Sequence, residues 1–271
     1  VDRLTRSARP GSSASLSDPL VSIAAIAEGR ENQVAQDDVT MFVDRDLRGA
    51  RFTRSTLAGA VMRGVDVRGL DIDAPWLADG ALVVNGVDVA PLVEAELNRR
   101  FPGRELRHAM DPDGLRGAWA ALERAWAAAV DRVASMPDGA ADVSVDGEWS
   151  FAQTLRHLAF ATDAWLGKAI QRRPQPFHPL GQPHVEYETD GYDTSIFATG
   201  QPTLAETLEL RAERQAMVRD FLADVTPELL AESRPTAWSA EREEPVVHCL
   251  HVILEEEWEH LRYALRDLDA Q

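Results

Sequence analysis

Glu256 and His260 stand four residues apart in the run LEEEWEHLRYAL, residues 254–265. On a helix that spacing puts both side chains one turn apart on one face, where a carboxylate oxygen and an imidazole nitrogen can share one divalent cation. Two donors do not complete such a site. A third must come from another helix, and His157 is the first candidate because it borders the apolar stripe Phe151, Leu155, Leu158 and Trp165. Each signal alone has a plainer reading, the acidic run 255–259 as a solvated face and His157 as a hydrogen-bonded core histidine. His248 and His251 are nearby alternatives, although His251 falls on the opposite side of the helical wheel from His260 and is expected to be exposed. His178 and His184 are candidates for a fourth ligand or a substrate contact. Cys249, the single cysteine, shares a stripe with His260 but lies about three turns away, too far to ligate beside it, and is expected as a buried structural thiol.

The elements that must position these groups are helices. Asp111 followed by Pro112 is an N-cap with proline at the first helical position, predicting a helix over 111–135 that ends before Pro137. Its core face contains Leu115, Trp119, Leu122, Trp126 and Val130, and the two tryptophans suit either a core or a homodimer interface. Ser150 with Gln153, and Thr203 with Glu206, are capping-box pairs that open helices over 150–171 and 203–223. A last helix is expected from about 245 to 269. Its stripe Val247, Leu250, Leu254, Leu261, Leu265 and Leu268 faces a core, and a second stripe holds Cys249, Ile253, Glu256, His260, Ala264 and Asp267. Four helices of this length with separate apolar stripes read as a bundle. The connection 172–202 carries Phe177, His178, His184, Tyr187, Tyr192 and Phe197, and ordered loops that long are usually functional.

The segments GEWSFAQTLRHLAFATDAWLG (147–167) and HCLHVILEEEWEHLRYALRDLD (248–269) resemble helices two and four of the DinB-like superfamily, which includes the mycothiol-dependent maleylpyruvate isomerases. The resemblance covers about 111–271 and implies a four-helix bundle holding a divalent metal. By that resemblance the helix-two histidine is His157 and the helix-four pair is Glu256 and His260. Zinc is the first expectation, and the same donors suit nickel or ferrous iron. The resemblance further implies a metal-bound thiolate, supplied as mycothiol or bacillithiol, that adds to an electrophile. The expected activity is thiol S-transfer or thiol-assisted isomerisation, with Arg262 and Arg266 as anion contacts. The competing readings are a non-enzymatic metal-binding or partner-docking protein and a metal-dependent hydrolase.

A different period governs the residues before the bundle. Leu47, Phe52, Leu57, Met62, Val67, Ile72, Leu77, Leu82 and Val87 recur every five positions, which neither a strand nor a helix generates. The segment resembles the pentapeptide-repeat family, and the resemblance implies a short right-handed β-solenoid over 41–90 with these side chains inside. A linking helix and a Phe101-Pro102-Gly103 turn occupy 91–110. Residues 1–40, rich in Ser, Ala, Arg, Asp and Gln, are expected to be disordered apart from a short helix around 18–28, and Met41 is a candidate biological start.

Composition bounds the function. The chain of 271 residues is 45% hydrophobic, ample for packed cores. Its net charge of -17 is concentrated in residues 111–271, with 14 basic against 29 acidic residues, so a phosphate backbone would be repelled there and no nucleic-acid partner is expected. Across 41–92, six arginines face seven aspartates, which argues against an acidic DNA-mimicking surface. No apolar stretch approaches the roughly 18 residues of a membrane span, and with one cysteine and no signal-peptide core the expected location is the cytoplasm.

Overall fold

The structure is a computed structural model that describes residues 40–271. The disorder expected before residue 40 and the short helix expected at 18–28 lie outside the described residues. Helix dominates the rest: α1 (Ala90–Arg100), α2 (Pro112–Ala134), α3 (Phe151–Thr162), α4 (Leu204–Asp224), the short α5 (Pro227–Ala231) and α6 (Val246–Asp269). Two small antiparallel ribbons accompany them, β1 (Val83–Val84) with β2 (Val87–Asp88), and β3 (Ser233–Pro235) with β4 (Glu243–Pro245). None of these helices is long and apolar enough to cross a membrane.

Local chemistry sets the helix starts. The Asp111 carboxylate accepts from the Gly114 backbone N–H at 2.9 Å, and Pro112 follows where no N–H is needed. Ser150 with Gln153 and Thr203 with Glu206 form reciprocal capping boxes that open α3 and α4. The four long helices pack around one apolar core in which Trp119 and Trp126 are both buried, so these tryptophans belong to the core and not to an exposed face. Gly103 makes the turn from α1 to α2 at φ +98°, where a Cβ would stand 2.3 Å from that of Ala121. Only glycine satisfies both the left-handed backbone and that approach.

Two expectations need correction. The helix predicted to run unbroken to residue 171 changes to a π-helix over Asp163–Ile170. At the change, buried Asp163 takes a hydrogen bond from Arg214 Nε at 2.6 Å and another from the His178 backbone N–H at 2.9 Å. These ties to α4 and to the loop 172–202 coincide with the widened turn. The second concerns the five-residue repeat. The backbone does repeat with that period, with left-handed residues at Asp44, Gly49, Arg54, Gly59, Gly64 and Gly69, and with turns closed from Ala50 to Leu47, Ala60 to Leu57 and Leu70 to Val67. The buried stack expected of a solenoid is absent among the described residues. Phe52, Leu57 and Met62 are 54–59% exposed, and no ladder of backbone hydrogen bonds joins one coil to the next. About two coils have too few neighbours to enclose their apolar row. The segment is instead tied to α6 through Asp73, which accepts from Arg262 at 2.6 Å and from Tyr263 Oη at 3.4 Å.

Candidate metal centre

α3 and α6 bring His157, Glu256 and His260 together. One donor atom from each lies within 4.8 Å of the others, and all three side chains are completely buried. Glu256 Oε2 is 3.1 Å from His260 Nε2 and 3.5 Å from His157 Nε2. The helical stripe predicted for α6 is buried throughout, from Cys249 through Ile253, Glu256, His260 and Ala264 to Asp267, so the polar pair faces the interior with its apolar neighbours.

His157 is oriented from the loop 172–202. Its Nδ1 is 3.0 Å from the Gln182 carbonyl, and because a carbonyl only accepts, Nδ1 carries the proton and Nε2 presents its lone pair towards Glu256. The loop is latched beside it twice, by Gln182 N–H donating to the Arg156 carbonyl at 3.1 Å and by Arg156 Nε donating to the Leu180 carbonyl at 2.8 Å. Such a carbonyl behind a ligating imidazole fixes tautomer and ring orientation and raises basicity. Burial lowers the His157 pKa, partly opposed by Glu256, and so favours the neutral ring that a metal requires. Burial alone would raise the Glu256 carboxyl, but the two imidazoles hold it well below the usual carboxylate range.

The donor set fits a cation on a separate ground. His157 Nε2 and both ring nitrogens of His260 are buried without a hydrogen-bond partner among the described residues. Leaving such atoms unsatisfied costs about 1–3 kcal/mol each. A carboxylate oxygen and two imidazole nitrogens that converge on one point are the arrangement a divalent ion would satisfy. Trp149 covers the two imidazoles, with its ring centroid 4.5 Å from His157 and 5.9 Å from His260, and it excludes water from that side.

A model of the DinB superfamily matches residues 121–264, more than half of the chain. The chain belongs to the DinB superfamily. No curated protein and no solved structure matches it. All three donors fall inside the DinB match, whereas the five-residue repeat lies outside it.

The other residues singled out from sequence have different partners. Arg262 pairs with Asp73 and Glu259, and Arg266 with Glu148, Asp267 and Asp73, so carboxylates of the chain itself occupy the guanidiniums expected as anion contacts. His251 is half-buried and not exposed, because its Nε2 donates to the Ala109 carbonyl at 2.9 Å. His248 pairs with Glu244 at the surface, and His178 Nδ1 accepts from Leu180 N–H at 3.1 Å. His184 is buried against Phe160, Tyr187 and Trp238 but is not a member of the donor cluster. Cys249 is buried, as expected. The acidic run is not a solvated face: Glu257 is buried against Arg211, and Glu259 against Arg104 and Arg262. Sequence reading missed Trp149 and Gln182. The first had a signal in its place one residue before the Ser150 cap, and the second had none, since it acts through its backbone carbonyl.

Proposed function

We propose that this DinB superfamily member is a divalent-metal-dependent enzyme, with His157, Glu256 and His260 as protein ligands and a small-molecule thiol of the mycothiol type as cosubstrate. The reaction is thiol transfer to a small electrophile, or its thiol-assisted isomerisation. The observation that carries this reading is the convergence of three buried donors within 4.8 Å, with imidazole nitrogens that nothing else satisfies. Two histidines and one glutamate suit zinc first, and nickel or ferrous iron as well. Three protein ligands leave a coordination position for an exogenous group, the pattern of catalytic and not of structural sites.

When bound, the cation would lower the pKa of a thiol or water towards neutrality and so supply a nucleophile at cellular pH. The chain's own residues hold and shield that position. Gln182 keeps His157 in the ligating tautomer, and Trp149 excludes water above both imidazoles. Cys249 sits about three turns from His260, so the thiol has to be brought in. The complete burial of all three donors favours a second reading, a non-enzymatic protein in which the metal only supports the fold.

Elemental analysis of the purified protein, followed by consumption of mycothiol thiol in the presence of a panel of electrophiles, separates the two. Stoichiometric metal with thiol loss that stops on chelation is the expected result. Stoichiometric metal with no thiol loss across the panel would leave the second reading, and a metal-free protein that takes up no zinc, nickel or ferrous iron would sink both.

A further inference from the structure

The three donors are completely buried, so nothing from solution reaches them while the side chains around them stay in place. α3 and α6 are held by their own helical hydrogen bonds, and the loop that carries Gln182 is tied down by two bonds to main-chain carbonyls. Trp149 is placed differently. It covers His157 and His260 from the connection between α2 and α3, in which residues 142–148 are exposed or half-buried and the Trp149 ring turns inward. We propose that Trp149 is a gate over the metal centre, held shut by a latch in which Arg266 joins Glu148 to Asp73 of the five-residue repeat. The inference rests on the triad being a metal site that takes an exogenous group, and the opening itself is measurable without metal.

The two ends of the gate are fixed and its middle has room to turn. Before it, Ala140 and Ala141 of a short 3-10 helix are buried, and after it Ser150 is held by the capping box that starts α3. Between them Asp146 and Gly147 both lie in left-handed backbone, at φ +52° and +80°, and a Cβ on Gly147 would meet nothing within 4 Å. Asp146 gains by leaving that region, and the open space lets the pair rotate. Glu148 N–H donates to the Val145 carbonyl at 2.9 Å and Ser144 Oγ to the Glu148 carbonyl at 2.5 Å, so 144–148 turns as a unit. The ring is poised between two positions. Burial of its apolar faces favours the closed one, while its Nε1 is buried without a hydrogen-bond partner among the described residues and regains one in water.

Three segments meet at Arg266. Its guanidinium contacts Glu148, the residue before the gate ring, and lies 3.4 Å from Asp73. Asp73 is fixed in turn by Arg262, at 2.6 and 3.1 Å, and by the Tyr263 hydroxyl at 3.4 Å. Both guanidiniums lie over the Tyr263 ring, 4.4 and 5.3 Å from its centroid, and that ring packs edge-on to His260 at 5.9 Å. The latch therefore stands beside the metal centre, and through it the repeat bears on access to the triad. Its ion pairs to Arg266 are partly exposed, which keeps each weak enough to open.

Ethoxycarbonylation of histidines by diethyl pyrocarbonate, mapped by mass spectrometry on the full metal-free chain, reads the opening directly. His157 and His260 react when the gate opens, exposed His108 and His248 give the reference rate, and His184, buried behind Phe160, reports general loosening. Trp149→Ala should speed modification of His157 and His260 by about tenfold or more. Glu148→Gln and Asp73→Asn should each speed it roughly twofold to fivefold, the share of a partly exposed ion pair, with His184 unchanged. Zinc-loaded protein gives a second readout: the same variants should speed zinc uptake and zinc release to excess chelator by like factors and leave affinity nearly unchanged. Equal modification rates in wild type, Trp149→Ala and Glu148→Gln overturn the gate, and an Asp73→Asn variant that behaves as wild type overturns the latch. Faster release with weaker affinity and no faster uptake makes Trp149 a support for the ligands, which also overturns the proposal. If Trp149→Ala fails to fold, Glu148→Gln decides. A chain that takes up no metal sinks the proposed function, while the modification rates still decide whether the gate opens.

Discussion

His260→Ala separates a metal ligand from a core histidine. The ring is completely buried between Trp149, His157 and Tyr263, with centroids 5.9, 4.8 and 5.9 Å away, so its removal leaves a cavity that neighbours fill only in part. Loss of a buried ring costs about 3–5 kcal/mol for Phe or Trp, and the smaller imidazole should fall at or below the lower end. The variant should stay folded, because the Leu250, Leu254 and Leu261 stripe is untouched. The metal response is larger and of a different kind. With free zinc at 100 to 1,000 times its dissociation constant, wild type gains about 2.7–4.1 kcal/mol. At roughly 2–4 °C per kcal/mol for a domain of this size, that raises the melting temperature by about 5–16 °C. His260→Ala should show less than about 2 °C of zinc-induced shift and should lose metal in elemental analysis. Differential scanning calorimetry with and without zinc, on chelator-treated protein, reads both quantities. A variant that keeps wild-type metal content and the full zinc shift would refute ligation by His260, and the functional proposal with it.

Three further outcomes follow from burial. Glu257→Ala strands Arg211 in the core and should cost about 3–5 kcal/mol in urea unfolding, whereas the pair Arg211→Met with Glu257→Leu should be near neutral or stabilising, since the ion pair is buried on both sides. Burial, with a smaller contribution from His157, lowers the His184 pKa to about 4. Between that value and an unfolded pKa of about 6.5 the unfolded chain binds the extra proton, so this contribution is present above pH 6.5 and is lost as pH falls towards 4. It amounts to about 3 kcal/mol, and His184→Phe should flatten stability across that window if the assignment holds. Leu57→Asp, which would unfold a closed solenoid, should change stability by less than about 0.5 kcal/mol because Leu57 is half exposed. A large loss in the same unfolding assay would mean that the apolar row is covered in solution.

The helices, their starts and the polar stripe of α6 were legible in the sequence, because capping and 3.6-residue periodicity are local: Asp111, Ser150 and Thr203 each act on a backbone N–H three residues on. The spacing of Glu256 and His260 is local in the same sense, and His157 stood out by the apolar stripe it borders, with the resemblance to the DinB-like superfamily implying the same residue. Contacts between distant segments were not legible. Nothing around Arg262 and Arg266 shows that Asp73, almost two hundred residues earlier, takes up their charge, and nothing in the acidic run shows that Arg104 and Arg211 draw Glu259 and Glu257 inside. The same holds for Gln182, whose carbonyl any residue type could present. The backbone turns keep the five-residue period of the sequence, but that period did not determine burial, because burial depends on how many coils stack and not on the repeat within one. Sequence alone thus determined which faces are apolar and which side chains share a helical turn. Tertiary packing alone decided which charges meet, which histidine nitrogens keep free lone pairs and which apolar row stays uncovered, since each depends on distances between elements that no local pattern encodes.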